Sequence, residues 1–276
     1  MSNVHESSVL DTAHWVAAYR AIESSRSDAI FRDPFAARLA GEGAVPKTVP
    51  TWPMVTRTKV IDDLVYTAVR EGADRVLNLA AGLDSRPYRL QLPALLEWVE
   101  GDFPSMVERK ERILSTDKPV CRLRREKVDL TDSAARGAFL DRALDGAKNA
   151  LVITEGFLIY LEDAAVTAIA KDLAKRHEVG SWIIDLASPA MLRMLQRMTD
   201  PYLAAGDRMK FGPANGLSFF ESLGWKPREI LTMSSEAKRY KRIPFMLGLL
   251  QSVLPEVDPR RPGKHRWGGI IRLERA

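Results

Sequence analysis

Val76-Leu-Asn-Leu-Ala-Ala-Gly-Leu-Asp-Ser-Arg-Pro-Tyr-Arg-Leu90 reads as a buried strand that runs into a turn of small residues and then a helix. Trp98-Val-Glu-Gly-Asp-Phe-Pro-Ser-Met-Val-Glu-Arg-Lys110 reads as a second strand that ends on acidic residues and passes into another helix. Strand, tight turn, helix and acid-tipped strand make the outline of a nucleoside-binding βαβ unit. Asp102 follows the turn by about 20 residues, the spacing at which a carboxylate meets a ribose.

The turn itself limits the ligand. Ala80, Ala81 and Gly82 are small enough to let a ligand approach the backbone. A dinucleotide needs a G-x-G-x-x-G turn, whose backbone N–H groups cradle a pyrophosphate at a helix start. Those glycines are absent here, and Asp84 stands where an anion would be repelled. This disfavours a nicotinamide dinucleotide and favours a nucleoside without phosphates, for which S-adenosylmethionine is the natural candidate. Either Glu100 or Asp102 has the position to accept from both ribose hydroxyls; a strand-end charge or helix cap is the plainer alternative for each.

Working outward, strand patterns recur at Arg75–Leu79, Leu95–Glu100, Val120–Lys127, Ala150–Glu155, Ser181–Ala187, Trp225–Thr232 and Trp267–Leu273. Helical patterns fall between most of them, notably Asp102–Ser115 and Leu161–Lys175. The alternation predicts an α/β fold with a doubly wound, mostly parallel sheet. The runs Leu151-Val-Ile153 and Trp182-Ile-Ile184 suit strands covered on both faces. The last two strands read as an antiparallel pair at one edge. Before the sheet, the spacing of Val9, Ala13, Val16, Ala17 and Ile22 predicts a helix. Asp33-Pro34 reads as N-cap and first position of a short one, residues 41–53 as loop, and Val55 to Glu71 as a longer helix closed by Gly72. The expected organisation is one domain: a helical cap (1–72), a cofactor-binding core (73–187), a helical lid insertion (188–224) and C-terminal strands (225–276).

Composition narrows the function classes. The chain has 276 residues, 46% of them hydrophobic, which is enough for a full core. Cys121 is the single cysteine, so an intramolecular disulfide is excluded, and His5, His14, His177 and His265 are too scattered for a metal site. Cys121, near a strand start, reads as a small buried hydrophobe. The N-terminus has no basic-then-apolar signal segment. The apolar stretch Ile243 to Leu254 is too short to span a bilayer. A cytoplasmic location, with no metal and no membrane as partner, is the expectation. The net charge is +5, and the basic clusters Lys238–Arg242, Arg260-Arg261 and Lys264–Arg266 read first as a solvated face. No nucleic-acid motif accompanies them, so a nucleic-acid methyltransferase or binding protein is the weaker alternative, beside a nicotinamide-dependent oxidoreductase.

Three ordered segments resemble the leucine carboxyl methyltransferase family, which includes bacterial polyketide-type O-methyltransferases: Leu79–Leu90, Glu100–Lys110 and Thr154-Glu-Gly-Phe-Leu-Ile-Tyr-Leu161. Val16–Arg20, Phe31–Pro34 and Thr56–Asp63 are similar to its bacterial branch. The likeness runs from about residue 10 to about 225. It implies a seven-stranded, Rossmann-like class I methyltransferase and S-adenosylmethionine as cofactor. It also implies roles: Arg57 pairing with the methionyl carboxylate, for which its planar fork is suited; Ala80, Ala81 and Gly82 lying against the methionyl part; Asp102 on the ribose; Asp129 and Leu130 on the adenine; Glu155 facing the methionyl amino group; and Tyr160 lining the acceptor pocket. The chain departs from the family at Ala80, where glycine is usual, and at Gly101, where an aliphatic residue is usual.

The acceptor is expected to be a small organic acid or a phenol. A carboxylate, with a pKa of about 4, is already ionised and needs no general base, whereas a phenol, at about 10, does. The chain offers few bases: His14 on the N-terminal helix is the candidate, and His177 reads as exposed at a helix end. Met191, Met194, Met198, Met209, Tyr202, Phe211 and Phe219 are concentrated in the insertion, as acceptor pocket or as packing onto the sheet. A homo-oligomer is compatible with the sequence.

Overall fold

The computed structural model describes residues 2–42, 49–203, 207–253 and 257–276. In chain order the elements are α1 (Ser2–Ser24), α2 (Ala36–Ala40), α3 (Thr51–Arg70), β1 (Arg75–Leu79), α4 (Arg86–Arg89), β2 (Glu97–Asp102), α5 (Pro104–Ile113), β3 (Arg122–Lys127), α6 (Ser133–Leu144), β4 (Ala150–Thr154), α7 (Asp163–Ala174), β5 (Val179–Ala187), α8 (Pro189–Thr199), α9 (Ser218–Glu221), β6 (Trp225–Thr232), α10 (Met233–Arg239), α11 (Phe245–Val253) and β7 (Gly268–Arg275). Short 3-10 turns lie at Leu158–Tyr160 and Asp200–Tyr202.

The strands form one seven-stranded sheet in the order β3-β2-β1-β4-β5-β7-β6. The first five are parallel; β7 runs antiparallel to both β5 and β6. The expected antiparallel pair is present, but β7 lies inside the sheet and β6 alone forms that edge. The chain winds outward from β1 to β3, then returns to β4 on the other side of β1. Such a reversal leaves a crevice at the strands' carboxyl ends, where ligands of these sheets bind.

Alternation of side chains sorts the core onto two faces. Leu77, Leu79, Val152, Trp182 and Ile184 pack with Phe139, Leu140, Val166 and Ile169 of α6 and α7. Val76, Leu151, Ile153 and Ile183 pack with Val60, Ile61 and Leu64 of α3. Gly101 belongs to the first packing problem: a Cβ there would come within 2.7 Å of Phe139 Cζ. The departure from an aliphatic residue is thus matched by a large aromatic neighbour.

Two local expectations are corrected. Asp33 is not the N-cap of α2, which begins after Phe35; its carboxylate is buried against Arg20 Nε at 2.8 Å and accepts from Ser85 Oγ at 2.6 Å. The loop expected at 41–53 gives way at residue 51 to α3, whose start is led by Pro50 in extended conformation; positions 43–48 of that loop lie outside the described residues. In residues 188–224, α8 and the four-residue α9 are helical, and the intervening described residues are largely irregular.

Candidate active site

A cavity of about 1250 Å³ opens at the carboxyl ends of the strands, and Arg57, Ala80, Ala81, Gly82, Asp102, Asp129, Leu130, Glu155 and Tyr160 all line it. These residues come from α3, the ends of β1, β2, β3 and β4, and the turn after β4, so the sheet itself brings them together.

The turn after β1 is held from below and across. Ala80 N–H donates to the Gly101 carbonyl at 2.8 Å, and Gly82 N–H donates to Asp102 Oδ2 at 2.6 Å. Both Ala80 (φ +54°) and Gly82 (φ +49°) are left-handed. Gly82 adopts this freely, whereas at Ala80 the Cβ crowds the backbone at a cost of about 1–2 kcal/mol. The family's usual glycine at that position is thus explained by backbone geometry.

Asp102 ends β2 and also accepts from Phe103 N–H at 2.7 Å. Burial pushes its carboxyl up to about 6, against the lowering effect of those two amides. Glu100 is engaged elsewhere, since Lys110 Nζ at 2.9 Å and Arg125 Nε at 2.7 Å bind its carboxylate away from the cavity. Of the two acidic candidates, Asp102 lines the cavity and Glu100 does not. Asp129 accepts from Thr131 N–H at 2.8 Å and Thr131 Oγ at 2.6 Å. Capping of the next helix falls to Asp132, which accepts from Ala134 and Ala135 N–H, so Asp129 is not needed there.

Beneath the cavity lies a dense charge network. Arg57 Nε meets Glu155 Oε1 at 2.9 Å, and its Nη1 meets Asp185 Oδ2 at 3.0 Å. Arg86 joins Glu155 at 2.8 Å, Asp84 at 2.7 Å and Asp62 at 2.7 Å. Arg89 grips Asp62 at 2.6 Å. Asp185 Oδ1 accepts from Gly156 N–H at 2.9 Å. Gly156 is left-handed at φ +64°, and a Cβ there would press on Arg57 Nη1 at 3.3 Å. Burial raises the Glu155 carboxyl, but Arg86 and Arg57 outweigh it and hold the group below its usual range. At Asp84 burial likewise raises the carboxyl, and Arg86 outweighs it and holds the group low. At Asp185, burial prevails over Arg57 and the pKa is raised.

This network completes the reading of Asp84. It lines the cavity, and its carboxylate is paired with Arg86 and accepts from Asn78 Nδ2 at 2.8 Å. Sequence reasoning misses Arg86, Asp62 and Asp185 as members of the site. Arg86 lies within the quoted turn, and its place two residues after an aspartate in an apolar setting is a signal for it. Asp185 interrupts the apolar β5 run, the same signal.

Another part of the lining is apolar. Met191, Met194 and Met198 of α8 line the cavity with Met209, Trp15 and Trp52. Phe211 and Phe219 do not join them; their rings pack edge-on 5.1 Å apart in the core. Tyr202 is edge-on to Trp15 at 5.9 Å. Tyr160 lines the cavity, and burial raises its hydroxyl pKa, with a hydrogen bond to Thr12 opposing. His14 is not among the lining residues, and His177 is exposed. Cys121 is buried and its thiol is pushed up to about 11 by burial, so it remains protonated. Among the described residues no cluster of metal-ligating side chains occurs, and no helix is long and apolar enough to cross a membrane.

Known proteins share this framework. The model of the leucine carboxyl methyltransferase family matches residues 13–174. A Streptomyces coelicolor protein that carries the name S-adenosyl-L-methionine-dependent methyltransferase is 32% identical over 244 residues, 81% of this chain and 85% of that one. A Frankia alni protein of the same name is 30% identical over 87% and 90% of the two chains. Among solved structures, a Streptomyces avermitilis duf574 family protein superposes with a TM-score of 0.55 at 13% identity, covering 81% of this chain and 84% of the other. One from Thermobifida fusca, described as a methyltransferase, gives 0.53 at 19% identity over 82% and 83%. The latter two share the fold. With more than half its length matched by the family model, the chain belongs to the leucine carboxyl methyltransferase family.

Proposed function

We propose that this methyltransferase binds S-adenosylmethionine against the β1 turn and transfers its methyl group to an oxygen of a small organic acceptor. The observation that carries this is the convergence of Asp102, Asp129, Leu130, Ala80–Gly82, Arg57 and Glu155 on one cavity. Asp102 is the carboxylate for the ribose, Asp129 and Leu130 address the adenine, and Arg57 and Glu155 address the methionyl carboxylate and ammonium.

The donor set suits such a ligand. Arg57, Arg86 and Arg89 face four carboxylates, Asp62, Asp84, Glu155 and Asp185. One negative charge is left in excess; the methionyl ammonium and carboxylate cancel each other, and the cofactor's sulfonium supplies the balancing positive charge. Arg57 is already oriented by Glu155 and Asp185, so little side-chain entropy remains to be lost when it meets a carboxylate. The bound cofactor supplies a methyl group activated by its sulfonium charge. The chain's own contribution is alignment and exclusion of water, which together account for much of such an acceleration. In this reading residues 1–72 cap the site, 73–187 hold the cofactor, 188–224 form the acceptor side and 225–276 complete one domain.

A carboxylate acceptor is favoured because it needs no base, and His14, the histidine candidate for one, is not a lining residue. A phenol is the second reading, favoured by one observation: Asp185 lines the cavity with a raised pKa, as a general base requires. A screen of carboxylic acids and phenols with methyl-labelled cofactor tests both. Transfer to carboxylates with a rate flat above about pH 6 supports the first. A rate rising with pH and flattened by Asp185→Asn supports the second. No transfer to either class, with the cofactor bound, counts against O-methylation.

A further inference from the structure

The basic cluster at Lys238–Arg242 and the apolar stretch behind it are not used by the site described above. They form one corner. α10 ends in a left-handed residue, Lys241 at φ +56°, with Arg242 N–H donating to the Ala237 carbonyl at 2.8 Å and Lys241 N–H to that of Lys238 at 3.0 Å. This is a Schellman stop with lysine in the place usually held by glycine. The corner is anchored: Tyr240 Oη donates to Asp63 Oδ2 of α3 at 2.6 Å, and Arg242 is ion-paired with Glu23 of α1 at 2.7 Å. What the anchors leave outward is basic, since Lys238, Arg239 and Lys241 are all exposed.

α11 follows at once and carries no charged residue. Phe245, Met246 and Leu249 are 82%, 73% and 56% exposed. At 100° per residue these three share one face, while Leu247 and the buried Gly248 occupy the other. Leu247 lines the large cavity, as does the exposed Arg266 from the Lys264–Arg266 cluster. Bulky exposed apolar side chains grouped on one helix face mark a contact surface.

We propose that the α10–α11 corner docks on an anionic lipid surface, with Phe245, Met246 and Leu249 entering the headgroup boundary and Lys238, Arg239 and Lys241 meeting lipid charge. The charge pattern selects this occupant over a second copy of the chain. A basic ledge beside an uncharged apolar face complements anionic lipid, whereas two copies paired through this corner would bring like charges together. The helix is too short to span a bilayer, and lying in the interface requires no span. Because Leu247 backs the same helix, the docked face adjoins the cavity, and an apolar acceptor has a short route from lipid to the methionine-lined wall.

Co-sedimentation of the full chain with phosphatidylserine–phosphatidylcholine vesicles tests this, with pure phosphatidylcholine vesicles as the control. The expected result is binding to the anionic vesicles only, weakening as salt is raised. The pair Lys238→Gln and Lys241→Asn, asparagine being suited to left-handed φ, should weaken it about thirtyfold, at the usual contribution of one basic residue near a charged bilayer. Phe245→Ser with Met246→Ser and Leu249→Ser should reduce it to the level of the phosphatidylcholine control. Far-ultraviolet circular dichroism on the same preparations verifies that the variants are folded. Calorimetry with S-adenosylhomocysteine separates two failures: absent nucleoside binding with intact vesicle binding would defeat the cofactor reading and leave the docking surface standing. No binding to anionic vesicles, or binding that both variants retain, overturns the proposal. So does a dimer in light scattering that the triple serine variant dissolves, because the face would then be covered by a second copy.

Discussion

The charged floor and the methionine wall of the cavity are built on opposite principles. The floor is a lattice of ion pairs in which Arg57, Arg86 and Arg89 are each fixed by carboxylates within 3.0 Å. The wall is a set of flexible thioethers on α8 with no charge among them. Buried ions are costly to desolvate and tolerate little misplacement, so the floor suits one invariant ligand. Methionine adapts to irregular shapes, so the wall suits a ligand whose outline need not be unique. In the function proposed above, the floor takes the fixed donor and the wall takes the acceptor.

The sharpest way to break the floor is Arg86→Met. It leaves Asp62, Asp84 and Glu155 without a shared cation in a site where Arg86 is almost fully buried. The expected loss is about 3–5 kcal/mol in urea unfolding, because removing one partner of a buried network strands the others. A loss below about 1 kcal/mol would mean that the lattice is not what sets this region's rigidity.

Asp102 offers a smaller, reversible test through pH. Its raised pKa means that the fold favours the protonated carboxyl. Its contribution to stability is therefore fully present below the unfolded value near 4 and is lost as pH rises through about 6. Ribose hydroxyls, in contrast, donate to the ionised form. Affinity for S-adenosylhomocysteine should fall about tenfold from pH 7.5 to pH 5, where about one Asp102 in ten remains ionised. Asp102→Asn should bind weakly at both pH values and show no slope from this group. A wild-type affinity flat across that range would remove Asp102 from the ribose role.

The floor and the wall are also unequally legible in the sequence. The acid-tipped strand, the small-residue turn and the α/β alternation are local patterns, so the order of elements and the lining residues Ala80–Gly82 and Asp102 can be read directly, whereas Arg57, Asp129, Leu130, Glu155 and Tyr160 enter through the family resemblance. Ion pairs are not local. Arg57 and Asp185 are separated by 128 positions, and Arg86 and Glu155 by 69, and no periodicity links them. The Asp84–Arg86 pair is the exception, two residues apart within the turn itself. On the wall, the methionines of α8 are visible as a cluster, but Phe211 and Phe219 carry the same composition signal and turn inward to pack. Only the register of the chain after α8 separates the two groups.

Ala80→Gly probes where floor and sheet join. The alanine is held left-handed by its bond to Gly101, and glycine there would relieve the crowding while adding freedom to the unfolded chain. The net gain expected is about 0.5–1 kcal/mol in thermal or urea unfolding. Unchanged or reduced stability would show that the Cβ contributes by packing against the first core cluster, where Ala80 is a partly buried member.

The smallest expected effect bears most directly on the division itself. Met191→Ala with Met194→Ala shortens two side chains of the wall, in a helix anchored by the Ser188 cap and buried Leu192. If the floor alone fixes the donor, S-adenosylhomocysteine should bind within about twofold of wild type, because distant sites with no shared partners act independently. Acceptor selectivity should move instead, each lost methylene weakening an apolar acceptor by roughly 0.8 kcal/mol. A large fall in nucleoside affinity would show that the methionines touch the donor as well. The wall would then act on both substrates at once, and selectivity for the acceptor would have to be sought on α1 and α3, where Trp15 and Trp52 line the same space.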